Sequence, residues 1–266
     1  MRESWALIRA AWLTAASYRM SMLTSLFGLV FVLLPLYFIA NALQPTMQHT
    51  ISGEARQYFA FVVLGAICFS LVSSCTTSLP AAIDGAIGRG TLEAILGTPA
   101  RLGAVCFGLM GYGVLWSLLR AAILLAVGVW LGATIVWSGL PLGLAVLLLT
   151  MLTYAGLGLV FSAMVLVFRT TGPLTTALLT GSMLLGGVYY PTSVIPSWIR
   201  DLAGFFPLTY GLRALRQIVL RGDSFSQVAR DVQMLGAMTA LSLAVGTLVF
   251  WFALQRARSV GTLSSY

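Results

Sequence analysis

The sequence predicts an all-α membrane protein: six transmembrane helices, an N-terminal amphipathic interface helix, a cytoplasmic coupling helix and re-entrant extracellular helices before the last span. Three observations lead there. Of the 266 residues, 59% are hydrophobic and only 8% charged, whereas a soluble globular domain carries about 25% charged residues. The apolar runs approach or exceed the ~20 residues that a helix needs to cross a bilayer. The charges collect at the ends of those runs, which suits flanking positions in a membrane.

The elements follow in chain order within a single transmembrane domain, 1–266. Trp5, Ile8, Trp12 and Ala16 recur at helical spacing with Arg2 and Arg9 off that stripe. Residues 1–20 therefore read as an interfacial helix with its Trp rings at headgroup depth, or else as an extension of the first span. That span, 23–43, holds thirteen Leu, Ile, Val or Phe residues, together contributing roughly −5 kcal/mol on the insertion scale. The second runs over 58–82, between Arg56 and Asp84. After Arg101 the apolar sequence is too long for one helix. The stretch GATIVWSGLP at 132–141 divides it into spans at 104–131 and 140–167. A fifth span covers 173–190, and a sixth covers 232–254, closed by Arg256 and Arg258.

Arg120 tests this scheme, because a central arginine costs about 2.5–3.5 kcal/mol on the insertion scale. Its span also holds thirteen Leu, Ile, Val or Phe residues, worth roughly −5 kcal/mol, so insertion still wins. Arg120 is a candidate substrate or intramembrane charge site, or it snorkels to the outer interface. Both termini are placed in the cytoplasm by a small excess of arginine on that side.

Composition also excludes chemistries. All fifteen basic residues are arginine. A phosphate-binding loop needs a lysine on the phosphates, so ATP cannot be held here in that way, and Schiff-base chemistry is lost too. His49 is the single histidine, so the two-histidine zinc motif cannot form. Cys68, Cys75 and Cys106 lie in apolar stretches with no metal spacing, and no catalytic or metal residues are expected. The scattered arginines speak for membrane lipids as partners and against nucleic acid.

Two segments outside the spans stand apart. The first, 84–101, reads DGAIGRGTLEAILGTPAR. Thr91 suits the cap of a short helix with Glu93 in its first turn, ended by Pro99. Such a helix would be a knob for a soluble partner; a plain loop is the alternative. The second, 191–231, contains Pro196 at the first turn of one helix, with Trp198, Leu202 and Phe205 on one side. Pro207 interrupts it. A second helix places Leu208, Leu212, Leu215 and Val219 on one face and Arg213 and Arg216 on another, and Gly222 ends it. Both are too short to span and apolar enough to re-enter the outer leaflet.

Here a resemblance enters. GTLEAILGTPA at Gly90–Ala100 resembles the coupling-helix motif of the ABC-2 exporter permeases. GGVYYPTSVIPSWIRDLAGFFPLTYGLRALRQIVLRG at Gly186–Gly222 resembles that family's signature after its fifth span. One departure is that Ala86-Ile87-Gly88-Arg89 stand where the family often has acidic residues. The resemblance implies a permease subunit in a bacterial plasma (inner) membrane. It implies a dimer, a homodimer, working with two copies of a separate ABC ATPase subunit that binds ATP and Mg. Gly90, Thr91, Leu92, Glu93 and Pro99 would then couple to the ATPase. Tyr189, Tyr190, Pro191, Pro196, Trp198, Pro207 and Tyr210 would shape an outer gate. The chain itself would be no enzyme, and its cargo would be amphipathic or lipid-like. The competing readings are a secondary transporter driven by an ion gradient, disfavoured because no Asp or Glu lies in a predicted span, a membrane enzyme, for which no site assembles, and a non-transporting scaffold.

Overall fold

With 59% of its residues hydrophobic, the chain cannot alternate polar and apolar faces, so the long runs of Leu, Val and Ala fold as helices that satisfy their own backbone groups. A computed structural model describes residues 19–91, 102–168, 170 and 172–260, and it is helical with no strand among them. The helices are α1 (Arg19–Ile51), α2 (Tyr58–Gly88), α3 (Leu102–Trp130), α4 (Leu140–Phe168), α5 (Gly172–Leu185), α6 (Ser197–Ala203), α7 (Pro207–Arg216) and α8 (Phe225–Val260). Among the described residues, four are long and apolar enough to cross a membrane: α2, α3 over Met110–Trp130, α4 with the turn before it, and α8 over Phe225–Ala257. The predicted interfacial helix, with Trp5, Ile8 and Trp12, lies outside the described residues.

Most spans begin close to where charge and turn residues placed them, but several ends differ. α1 runs on to Ile51, eight residues past the predicted 43, and α8 runs on to Val260, past the predicted 254. α2 continues through Asp84 to Gly88, because nothing in DGAIG breaks a helix until Gly90. α8 starts at Phe225, a full turn and more before the predicted 232. Here Ser224 supplies the start, its backbone N–H donating to Gln227 Oε1 at 2.8 Å. The predicted span 173–190 is helical only to Leu185. Gly187 has φ 75°, a left-handed turn that a glycine adopts without penalty, and the chain leaves the helix there although Val188–Tyr190 remain apolar.

Gly90 ends α2 in the same manner, with φ 65°. The Thr91 N–H donates to Ala86 O and the Gly90 N–H to Ile87 O, both at 2.9 Å, the paired bonds of a Schellman ending. The Thr91 hydroxyl also donates back to Ala86 O at 3.3 Å. Thr91 therefore closes α2; the helix that the sequence suggested it caps lies outside the described residues. Leu92, Glu93 and Pro99 lie outside the described residues. Gly90→Val forces a branched side chain into a left-handed conformation at roughly 1–2 kcal/mol. We expect hydrogen exchange to show faster amides over Asp84–Gly88 with α4 unaffected.

α4 is the central helix, packed along α2 on one side and α8 on another, with α3 and α1 against α2. Glycines let the backbones approach. A Cβ on Gly158 would lie 2.8 Å from Cys75 O of α2, and one on Gly156 would lie 2.6 Å from Ser242 C of α8. Small residues at such crossings are the usual means of packing helices where no hydrophobic force separates helix from lipid. Beside the second contact the Thr153 and Thr239 hydroxyls share a buried 2.6 Å bond. Tyr154 OH donates to Ser182 Oγ at 2.8 Å, which ties α4 to α5. Cys68 and Cys75 are buried free thiols.

Candidate functional site

The segment after α5 gathers at one end of the bundle, and its chemistry starts from the turn. Gly186 and Gly187 reverse the chain, so the carbonyls of Gly187 and Val188 face inward without a helical partner. α7 begins with Pro207 in its first turn, where the missing N–H is no loss. Its face of Leu208, Leu212, Leu215 and Val219 is buried as expected. It then widens into a π turn, Gln217–Arg221, ended by Gly222 at φ 81°.

Arg216, the last residue of α7 before that turn, is 1% exposed. Its Nη1 donates to Gly187 O at 2.9 Å and to Glu54 Oε2 at 3.2 Å. Its Nη2 donates to Val188 O at 2.8 Å and to Phe61 O at 3.1 Å. The guanidinium carbon lies 3.4 Å from the centre of the Phe61 ring, a cation–π contact. Gly65 makes the room, since a Cβ there would collide with Val188 O and stand 2.7 Å from Arg216 Nη2. Burial pulls the Arg216 pKa down to about 10, with Glu54 opposing that shift. The group keeps its charge at neutral pH.

The other loops at this end join the same knot. Arg221 donates to Gly53 O at 2.7 Å, so the α1–α2 loop is held twice. The Val136 N–H of the α3–α4 loop donates to Val219 O of the π turn at 2.8 Å. Gln57 bridges to Gly132 O at 3.2 Å and receives the Thr134 N–H at 3.1 Å. Tyr58 OH donates to Tyr189 O at 2.8 Å. Together α7 and its π turn hold the α1–α2, α3–α4 and α5–α6 connections at this end.

Of the predicted gate residues, Tyr189, Tyr190 and Pro191 lie in the turn beside this knot. Tyr190 OH donates to Leu184 O at 2.7 Å, and Pro207 and Pro191 are buried. Tyr210 is half-buried on α7. Pro196 and Trp198 do not join them. Trp198 and Phe205 on the α6 side are 70% and 78% exposed. Gly90 and Thr91 lie at the far end of α2, whose 31 residues span about 45 Å. The segments 84–91 and 187–221 are thus on opposite ends of the bundle. Arg120 is half-buried on α3, with its Nε lacking a hydrogen-bond partner among the described residues.

The sequence sets Arg216 on the face of α7 away from its leucines and does not single out Glu54. A signal was present, because Glu54 is the single acidic residue between Glu3 and Asp84.

Long apolar helices packed through glycines, with a broken helical segment folded over one end, define a multi-pass membrane protein. Residues 2–220 match the family described as ABC-2 type transporter, and the chain belongs to that family. It is 30% identical to nodulation protein J of Rhizobium leguminosarum bv. trifolii over 164 residues, 61% of this chain and 62% of that protein. It is 26% identical to nodulation protein J of Rhizobium leguminosarum bv. viciae over 76% of this chain and 78% of that one. Against the inner membrane transport permease YadH of Escherichia coli (strain K12) the figures are 23% identity, 76% and 77%. The chain thus spans a little under two thirds of the length of the first of these relatives.

Proposed function

We propose that this chain is the permease subunit of an ATP-driven exporter, working as a homodimer with two ABC ATPase subunits in a bacterial inner membrane. Membership of the ABC-2 family over residues 2–220 carries this reading, and the absence of any lysine supports a separate chain as the holder of ATP and Mg. In this reading α1 and α5 complete six spans. α5 has 14 residues, about 21 Å, and would cross together with the turn that follows it to Tyr190, leaving the short helices of 191–231 re-entrant in the outer leaflet. Both termini face the cytoplasm, with Trp5, Ile8 and Trp12 at its interface. Cargo is amphipathic or lipid-like and passes between the two subunits.

Gly90, Thr91, Leu92, Glu93 and Pro99 receive the movement of the ATPase. Because the Schellman ending fastens Thr91 to α2, a push on this segment moves α2 as a rod. The other end of that rod carries Phe61 and Gly65, on which Arg216 rests, so it reaches Tyr189, Tyr190, Pro191, Pro196, Trp198, Pro207 and Tyr210 as the outer gate. The family likeness to YadH, a transport permease by name, supports transport over a scaffold role.

The test is purification of the tagged chain from its native membrane: an ABC ATPase is expected to come with it in a 1:1 ratio. Isolation of the chain with no nucleotide-binding partner, under detergents that preserve the dimer, refutes the proposal. In the assembled complex, Glu93→Ala is expected to leave ATP hydrolysis running while cargo movement falls on the order of tenfold, as for loss of one charged contact.

A further inference from the structure

We propose that Arg120 is the binding site for the anionic headgroup of the cargo, met halfway across the membrane. This deepens the exporter reading and rests on it for the word cargo, while the site itself stands on geometry. A Cβ on Gly128 would meet Val63 and one on Gly113 would meet Ser78, at 2.9 and 2.7 Å. Those two contacts fix the antiparallel register of α3 against α2 and set Arg120 level with Leu71. That level is thirteen residues, about 20 Å, from both Tyr58 and Asp84. The guanidinium also starts about 15 Å below Trp130, the end of its own helix, further than one side chain climbs.

No carboxylate of the described residues stands at that level. Glu54 pairs with Arg216, Asp231 with Arg213 and Asp223 with Arg221, all at the end of the bundle that holds α7. Asp201 is on α6 at that end, and Asp84 is at the other. Glu3 and Glu93 lie outside the described residues. A second copy of the chain brings the same acids at the same depths, so a homodimer does not neutralise the charge with them. Bulk phospholipid headgroups stay at the interface, a half-membrane away. Arg120 nevertheless is reachable, half-buried beside the exposed Leu115, Leu118 and Leu119. An anion that meets it must be carried to mid-depth by something crossing. An amphiphile with a phosphate or carboxylate head fits, its chain lying on the leucines and its head on the guanidinium.

The test uses the full chain in nanodiscs of phosphatidylcholine and fluorescent lysophosphatidic acid as probe, with lysophosphatidylcholine of the same chain length as the neutral control. Wild type is expected to bind the anionic probe on the order of tenfold tighter than the control. Arg120→Gln is expected to bring the two within about twofold, and Arg120→Lys to keep most of the preference, since the charge remains. A parallel series with two-chain phosphatidic acid separates the sources: equal preference assigns the site to membrane lipid in transit, and preference for the single-chain probe assigns it to a detergent-like cargo. Absence of any preference in wild type overturns the site, whatever the variants do. So does an unchanged preference in Arg120→Gln that elutes as wild type. Binding here needs no ATP, so failure of an ATPase to co-purify refutes the exporter and leaves this result standing.

Discussion

Arg216→Met is expected to destabilise the folded chain by about 3–5 kcal/mol, as when one partner of a buried ion pair is removed. Methionine nearly matches the volume but donates nothing. The carbonyls of Gly187 and Val188 sit in a turn and have Arg216 as their donor, and each buried acceptor left bare costs about 1–3 kcal/mol. Glu54 loses its counter-ion as well. Thermal unfolding in detergent, read by intrinsic fluorescence, is the measurement. Glu54→Gln should cost much less, because its carboxylate is partly open to water and Arg216 retains three carbonyls and the Phe61 ring. Arg216→Lys should fall near methionine, since one ammonium cannot reach acceptors spread across a planar fork. A loss under about 1 kcal/mol in Arg216→Met would mean that the knot is decoration.

Gly156→Leu carries the other large effect, about 3 kcal/mol, at the upper end of overpacking. The new Cβ would lie 2.6–2.8 Å from backbone atoms of Ser242 and Leu243, which no rotamer change relieves. α4 and α8 must part, and the Thr153–Thr239 bond three residues away opens with them. Gly236→Leu on α8 is the matched control. Nothing lies within 4 Å of its Cβ position, so the same chemical change should stay within about 0.5 kcal/mol. Equal melting of the two variants would remove the close crossing from the account.

What was legible in the sequence was whatever hydropathy or a turn residue writes locally. The starts of α2, α3 and α4 follow from Arg56, Arg101 and the 132–141 turn, and Gly222 ends the helical run after Pro207 as expected. The end of α5 was not legible, because Val188–Tyr190 are as apolar as the helix before them and hydropathy does not register a left-handed glycine. Arg216 was set on the face opposite the leucines, and an amphipathic wheel does not say what that face meets. α7 is enclosed by α4 on one side and α2 on another, and its charge meets carbonyls from a turn 28 residues away. Gly139 and Gly143 flank the turn at 132–141, and nothing in their spacing shows what they face. They lie against Ile218 and Val219, where backbone proximity, not side-chain pattern, decides. The roles assigned to Leu92, Glu93 and Pro99 came from resemblance alone.

The grip on Arg216 is supplied by main-chain oxygens more than by side chains, and this bears on how freely the surrounding residues can drift. A carbonyl is present whatever amino acid carries it. Tyr189, exposed in the same loop, can change its side chain while the binding atoms stay where they are, so long as the loop keeps its path. Gly65 has no such latitude, because any larger residue occupies the guanidinium's seat. Relatives that share the fastening are therefore expected to agree at one bare position and one arginine while spelling the loop between them differently.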